Sequence, residues 1–368
     1  MTINHQERLS VLQESLHEQN IDIAMITTPA NVFYYTGFNS DPHERFMALV
    51  IDNRSNEYTL FVPALDKDMA ESASHVKNIV PISDEEDPFE ILKKELKGGI
   101  IYFGLEMKTV SMFQHEQLTS AFPESVYKDV QSFINAQRLK KTRSELIYTQ
   151  KAIDIIEQVL AEGIKKVKIG MTELELTAEL EYLMKKFGAE GPSFSTIVLS
   201  GEKTALPHGT PGERAFQKGD FLLIDMGVII KEGYCSDITR TFIIGEATDK
   251  QNEIYDIVRK STLAGTRAVK AGVPLKTFDI AARNVIKENG YGEYFNNRVG
   301  HGLGIEVHEE PSIHEINEQT AESGLLFTIE PGIYIPGYGG VRIEDNVFIN
   351  ENGEAEVLTS FPSELKIL

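Results

Sequence analysis

The chain has 368 residues, 41% of them hydrophobic and 25% charged, with a formal net charge of −20; this favours two ordinary globular domains and disfavours nucleic acid or anionic membrane as partners. No apolar run approaches the roughly 18 residues of a membrane span, and the polar N-terminus lacks the apolar stretch of a signal peptide. A single cysteine, Cys235, excludes an internal disulfide, so a cytoplasmic location is expected.

Residues 1–133 alternate helical and strand patterns. ERLSVLQESLHEQN spaces its apolar residues as an amphipathic helix, IDIAMITTP reads as a buried strand, and MALVIDN with NEYTLFVPA as a hairpin closed by Arg54 and Ser55. DPFEILKKELK and VSMFQHEQLTSAF have helical periodicity on either side of the strand IIYFGLE. The expectation is an α/β domain without a phosphate loop. It ends near the polar, basic stretch QSFINAQRLKKTRSE, which sets the boundary between residues 133 and 134.

The remainder, 134–368, carries an internal repeat. IKKVKIGMTELEL from Ile164 aligns with TRAVKAGVPLKTF from Thr266, with Gly170 over Gly272 and an amphipathic helix on each side of both glycines. Each copy continues with a histidine and a proline three residues later, HGTP at His208 and HEEP at His308. Each ends in strand–turn–strand, FLLIDMGVIIKEGYCSDITRTFII and LLFTIEPGIYIPGYGGVRIEDNVFI. Two α-α-β-hairpin units facing each other predict an α+β, pseudo-symmetric domain with a central cleft.

Both hairpins carry acids. Asp225 and Asp237 are symmetric about residue 231, Glu330 and Glu344 about Gly337, so each pair is predicted to lie directly across its hairpin, Cβ atoms roughly 5 Å apart. Facing like charges among apolar neighbours would be costly. Two divalent cations would offset the four carboxylates, and one imidazole would complete an oxygen-rich set suited to manganese, cobalt or zinc. Such a pair can share an activated water. In the competing reading Arg240 and Arg342 neutralise the acids, but two arginines cannot satisfy four.

The imidazole comes from a glycine-rich stretch, GHGLGIEVHEEP, which holds His301 and His308. Gly300, Gly302 and Gly304 argue against a helix. In an extended chain the odd spacing turns the two rings to opposite faces, so that unless the strand is bulged they cannot both reach one ion from the same side, which gives them different tasks.

In order along the chain, DMG…YCSDITRT, GHGLGIEVHEEP, TIEPGIY and GGVRIED resemble the pita-bread metallopeptidases, the family of prolidase, aminopeptidase P and methionine aminopeptidase. The resemblance covers about residues 140–368. It implies metal ligands at Asp225, Asp237, His301, Glu330 and Glu344, with Glu330 also accepting a proton. It also implies that His308 lies on the substrate side, where it helps bind the substrate or protonate around the scissile peptide, and that His208, of the motif PHG, faces it across the cleft to hold the substrate or share the donor role. All five ligand types are present, unlike in creatinase, which uses no metal. ANVFYYTGFNSDPHERFMAL is similar to the N-terminal segment of short bacterial prolidases, and methionine aminopeptidases usually lack a domain of this size. The first domain is therefore expected to be of the creatinase/prolidase N-terminal type, serving dimerisation and shaping of the active site.

The activity so implied is hydrolysis of the bond before proline in Xaa-Pro dipeptides. An aminopeptidase P acting on longer peptides is the alternative, and a non-catalytic binding protein the remote one. The implied partners are a small proline-containing peptide, two divalent ions (manganese ahead of cobalt or zinc), and a second copy of the chain, which the loop Asn39–Arg45 would approach. Phe194, Tyr334 and Tyr338 are candidates for the wall that takes the proline ring. Arg342, two residues before Glu344 and so on its face, is the candidate for the substrate carboxylate; its rival role is to orient the metal carboxylates. Arg45 from a neighbouring subunit is a further candidate, and Cys235 is read as packing.

Overall fold

A computed structural model of the chain describes residues 3–368. The chain divides into two compact units, residues 1–138 and 139–368. The position expected for the boundary falls inside the helix Gln131–Leu139, whose Arg138 donates to Asn31 Oδ1 at 2.6 Å within the first unit.

The first unit is a six-stranded mixed sheet in the order Asn78–Ile82, Glu57–Pro63, Ala48–Asp52, Ile23–Ile26, Tyr102–Leu105, Val126–Asp129. Ile23–Ile26 is buried at every position, as its unbroken apolar run requires. It pairs antiparallel with Ala48–Asp52 and parallel with Tyr102–Leu105. The hairpin places Asp52 opposite Glu57, so the chain reverses through Asn53–Asn56, around the expected Arg54 and Ser55. Leu92 and Leu118, from the helices Pro88–Glu95 and Met112–Ala121, share one core cluster with Phe61 and Phe103 of the sheet.

In the second unit the repeat appears as two helix pairs, Arg143–Gly163 with Glu173–Lys186 and Asp249–Ala268 with Lys276–Glu288. Gly170 and Gly272 both adopt φ 87°, a left-handed conformation that side-chain-bearing residues avoid. Each ends the turn from which the next helix starts. The first hairpin, Phe221–Met226 with Ile238–Ile243, is buried throughout and carries Ile197–Ser200 on its other edge. The five-stranded sheet runs Glu309–Ile313, Gly300–Gly302, Leu326–Ile329, Asp345–Ile349, Ala355–Val357, beside a two-stranded ribbon of Gly332–Ile335 and Gly339–Arg342. Phe278 stacks on Phe327 at 5.7 Å beneath it.

The registers correct one expectation and meet the other. Asp225 faces Thr239, not Asp237, because the turn through Ile230–Tyr234 closes one residue later than symmetry about 231 assumes, with Ile230 N donating to Tyr234 O at 3.1 Å. The offset along the strand is two residues, so Asp237 keeps its face and becomes the diagonal neighbour of Asp225. In the second hairpin Ile329 faces Asp345 and Gly332 faces Arg342, which leaves Glu330 opposite Glu344. The ladder opens between them: Glu330 N donates to Val299 O at 2.7 Å and Glu344 N to Thr239 O at 3.1 Å. The second bond stitches the two hairpins together.

Candidate metal and peptide site

Four acids stand where these strands begin or end; Asp225, Asp237 and Glu330 line one cavity, and Glu344 gathers with Asp237 and His301 at its floor. Asp225 is the penultimate residue of Phe221–Met226, Asp237 lies just before Ile238–Ile243, Glu330 just after Leu326–Ile329 and Glu344 just before Asp345–Ile349. Asp225, Asp237, Glu344 and His301 are buried. His301 Nε2 lies 3.1 Å from Glu330 Oε1 and 3.6 Å from Asp237 Oδ2. One ligand atom from each of Asp237, His301 and Glu344 falls within 4.8 Å of the others.

The chain builds this arrangement locally. A Cβ on Gly300 would fall 1.8 Å from Thr328 O, and one on Gly302 2.1 Å from Glu310 O, so only glycine fits on either side of His301. His301 Nδ1 is 3.2 Å from Gly302 O. A carbonyl only accepts, so this contact puts a proton on Nδ1 and leaves Nε2 as the ring atom that faces the acids. Thr328 Oγ1 donates to Glu330 Oε1 at 3.2 Å. Thr239 Oγ1 donates to Glu344 Oε2 at 2.8 Å and accepts from Arg342 Nε at 3.1 Å.

Arginine neutralises the floor only in part, through Arg342 beside Asp225 and Glu330. Arg240 turns away to Asp345 at 2.8 Å and to Phe361 O at 2.7 Å. Arg342 donates to Asp225 Oδ2, and its Nη1 to Tyr334 OH at 2.8 Å. With its donors so placed, the hydrogen bonds favour the orienting role of Arg342 over the reach to a substrate carboxylate. Asp225 Oδ1, Asp237 Oδ1 and Glu344 Oε1 remain buried without a hydrogen-bond partner among the described residues.

Electrostatics registers the crowding. Burial, and then the charges of Glu344 and Asp225, push the Asp237 carboxyl well above its usual range. Burial, Glu330 and Asp225 do the same to Glu344. Burial raises Asp225 against the opposing pull of Arg342. Burial also works to raise Glu330, but the His301 hydrogen bond and the His301 and Arg342 charges outweigh it and hold that carboxyl low. Buried orphan acceptors of this kind cost about 1–3 kcal/mol each, and divalent cations would satisfy all three. The donor set of carboxylate oxygens plus one imidazole nitrogen fits such ions.

Above the floor lies a cavity of about 270 Å³ walled by Phe194, Ile197, Val307 and Tyr334. His208, His308, Asn297 and Arg298 also line it. The extended-chain expectation for His301 and His308 is overturned. Gly300–Gly302 and Glu309–Ile313 pair as antiparallel strands with a bulge after His301, so residues 303–308 double back and the two rings lie 3.9 Å apart, tilted by 51°. Partial burial, then the charges of His301 and Arg298, pull His308 down to about 4, with His208 contributing. His308 is thus a neutral imidazole near pH 7, and it shares its space with His208.

Other sequence candidates are placed elsewhere. Tyr338 packs edge-on against Phe221 at 6.2 Å, with Lys250 4.9 Å from its ring. Arg45 makes a two-pronged pair with Asp84 at 2.8 and 3.2 Å in the first unit. Cys235 is buried and its thiol donates to Ile305 O at 3.2 Å, as a packing residue would. Glu309 accepts from Lys141 Nζ at 2.8 Å, a pair whose side chains are only 2% and 5% exposed. Sequence reasoning missed Arg298, which belongs to neither repeated motif, and the hydroxyls of Thr239 and Thr328. The two threonines stood two residues from expected ligands on the same strand face, and that spacing could have revealed them.

Comparison with known proteins agrees with this geometry. Residues 148–351, more than half of the chain, match metallopeptidase family M24, and residues 8–140 match the creatinase/prolidase N-terminal domain. The prolidase from Pyrococcus horikoshii OT3 is 36% identical, with a TM-score of 0.90 over 98% of this chain and 100% of that one. An Xaa-Pro dipeptidase from Bacillus anthracis is 34% identical, with a TM-score of 0.91 over 99% and 100%. An X-Pro aminopeptidase from Thermotoga maritima MSB8 is 34% identical, with a TM-score of 0.90 over 98% and 99%. No helix among the described residues is long and apolar enough to cross a membrane. A creatinase-type α/β domain thus precedes a pita-bread catalytic domain, and the chain belongs to metallopeptidase family M24, hydrolytic enzymes whose family membership implies divalent metal ions.

Proposed function

We propose that the chain is an Xaa-Pro dipeptidase whose floor residues Asp225, Asp237, His301, Glu330 and Glu344 would hold two divalent ions, manganese ahead of cobalt or zinc. The observation that carries the dipeptidase reading is Arg298. It hydrogen-bonds Ser312 Oγ at 3.2 Å, lines the small cavity, and pairs with no carboxylate among the described residues. It is therefore placed to receive the free carboxylate that a dipeptide presents, by charge-assisted hydrogen bonds. A volume of about 270 Å³ lies just below the usual range of ligand pockets, roughly 300–1,000 Å³, and suits a small substrate.

When bound, the cations would polarise the scissile carbonyl and lower the pKa of the attacking water. The residues of the chain do the rest. Glu330, held ionised by His301 and Arg342, accepts the proton. Neutral His308 donates a hydrogen bond to the carbonyl oxygen as it gains charge. His208 holds the substrate from the facing loop. Phe194 and Tyr334 give an apolar wall to the proline ring, whose tertiary amide offers no N–H. Arg342 orients Asp225 and, through Thr239, Glu344.

The likeness to the Thermotoga aminopeptidase supports a second reading, cleavage of the same bond in longer peptides. Turnover of Ala-Pro against Ala-Pro-Ala by the manganese-loaded enzyme separates the two. The dipeptide is expected to be the better substrate, and efficient cleavage of the tripeptide alone would sink the dipeptidase assignment. The proposal also includes a cytoplasmic homodimer formed through the creatinase-type domain, which would also shape the active site. Its support is the similarity of residues 30–49 to short bacterial prolidases, and a single-chain mass by light scattering would remove it.

A further inference from the structure

His208 lines the cavity, yet its imidazole makes no hydrogen bond within the chain among the described residues. It sits on an excursion that leaves the strand Ile197–Ser200 and runs through Gly201–Ala205, Pro207 and Thr210 to Gly212. A ring without a side-chain partner is only as well placed as the backbone that carries it.

That backbone is tied at its base to one carboxylate. Glu173 opens the helix Glu173–Lys186 and is fully buried. Its Oε1 accepts from Ser200 N at 2.8 Å and from Ser200 Oγ at 2.9 Å, where the excursion starts. Its Oε2 accepts from Gly212 N at 2.9 Å, where the excursion ends, and from Lys203 Nζ. Lys203 Nζ in turn donates to Thr210 O at 3.2 Å, two residues beyond His208. The first N–H groups of the same helix finish the closure: Glu173 N donates to Arg214 O at 3.2 Å and Leu174 N to Gly212 O at 3.1 Å.

A structural helix start needs none of this. The helix is already capped by Thr172 and Glu175, each satisfying the other's backbone N–H. A buried carboxylate is costly unless fully paired, and here every partner belongs to the His208 excursion. We propose that Glu173 is a positioning residue for His208: its carboxylate closes the loop Ser200–Gly212 and so fixes the imidazole in the cavity. The inference rests on the reading of His208 as a substrate-holding group.

Glu173→Gln keeps the shape of the side chain but can turn an amide donor towards Lys203 and Gly212, which are donors themselves. Hydrolysis of Ala-Pro by the manganese-loaded enzyme is measured for the native chain, Glu173→Gln, His208→Ala and the double variant. His208→Ala is expected to lower kcat/KM about 100-fold, and Glu173→Gln about tenfold. If Glu173 acts through His208, the double variant is no worse than His208→Ala. A tenfold loss that recurs in the His208→Ala background, or no loss in Glu173→Gln alone, overturns the proposal. Native turnover in His208→Ala removes the substrate-holding reading itself, and that single variant shows it without reference to Glu173.

The metal-free chain gives a readout independent of turnover. The ring Cε1–H NMR resonance of His208, identified by its loss in His208→Ala, should move towards the free-histidine position in Glu173→Gln. An unmoved resonance counts against the clamp. Should Glu173→Gln fail to fold, Lys203→Met cuts the bond to Thr210 from the more exposed side, and the same non-additivity with His208→Ala is required.

Discussion

Asp225, Asp237, Glu330 and Glu344 stand at strand ends, whereas His208 and His308 stand on loops, and different forces position the two sets. The acids are fixed by β-ladders, by Thr239, Thr328 and Arg342, and by main-chain bonds such as Glu344 N to Thr239 O at 3.1 Å. Their geometry is preorganised and their charges are not: three buried oxygens lack partners. The histidines show the reverse. Neither is held by a ladder, and each loop hangs from a buried carboxylate, Glu173 below His208 and Glu309 beside His308. A sheet can hold like charges together until a cation arrives, because its backbone bonds do not depend on the side chains. A loop has no ladder and needs a side chain to close it.

The floor is the place to break this comparison most severely. Glu344→Ala removes one acid and leaves Thr239 Oγ1 without its acceptor. Loss of bound manganese and a fall in kcat/KM of about 10³-fold or more are expected, since a metal supplies several kcal/mol of transition-state stabilisation. Metal analysis beside Ala-Pro kinetics checks it. Full manganese content and near-native turnover would mean that the floor is not a cation site.

How much of this was legible in the sequence follows the same division. The repeat was readable because Gly170 and Gly272 perform one backbone task, the shared φ of 87°. Glu330 opposite Glu344 was readable because the second hairpin is symmetric about Gly337 through both of its ladders. Asp225 opposite Asp237 was not, because the turn through Ile230–Tyr234 shifts the pairing and strand alternation cannot report the length of a turn. The opposite-face argument for His301 and His308 failed where the chain reverses within residues 303–308. Glu173 and Lys141 were invisible for a plainer reason. Each acts on a partner far away in sequence, Gly212 and Glu309, and no local period records such a contact.

At the rim, Arg298→Ala tests whether the loops see the substrate at all. A hydrogen-bonded charge contact contributes about 1.5–3 kcal/mol, so KM for Ala-Pro should rise roughly 10- to 100-fold. Manganese affinity by titration calorimetry should stay native, because Arg298 touches none of the four acids. Equal losses on Ala-Pro and on its proline-amide analogue would show that Arg298 does not read the carboxylate.

Lys141→Met probes the anchor of the other rim loop and should have the smallest effect on activity and a large one on stability. Glu309, beside His308, would lose its lysine, and breaking a buried ion pair costs about 3–5 kcal/mol. Denaturant unfolding of the metal-free chain measures that loss. If the anchor also places His308, kcat/KM for Ala-Pro falls roughly tenfold, the scale of a supporting residue. Lys141→Met/Glu309→Leu then separates the two roles. Replacing a buried ion pair by apolar groups is often neutral for stability, so the double variant should regain much of the lost stability. It should not regain turnover, because Glu309 also accepts from Glu306 N at 2.9 Å, and leucine cannot replace that acceptor in the turn that carries His308. Native turnover in Lys141→Met alongside the full stability loss would show that the pair serves the fold only, and would leave Glu173 as the one carboxylate that positions a rim histidine.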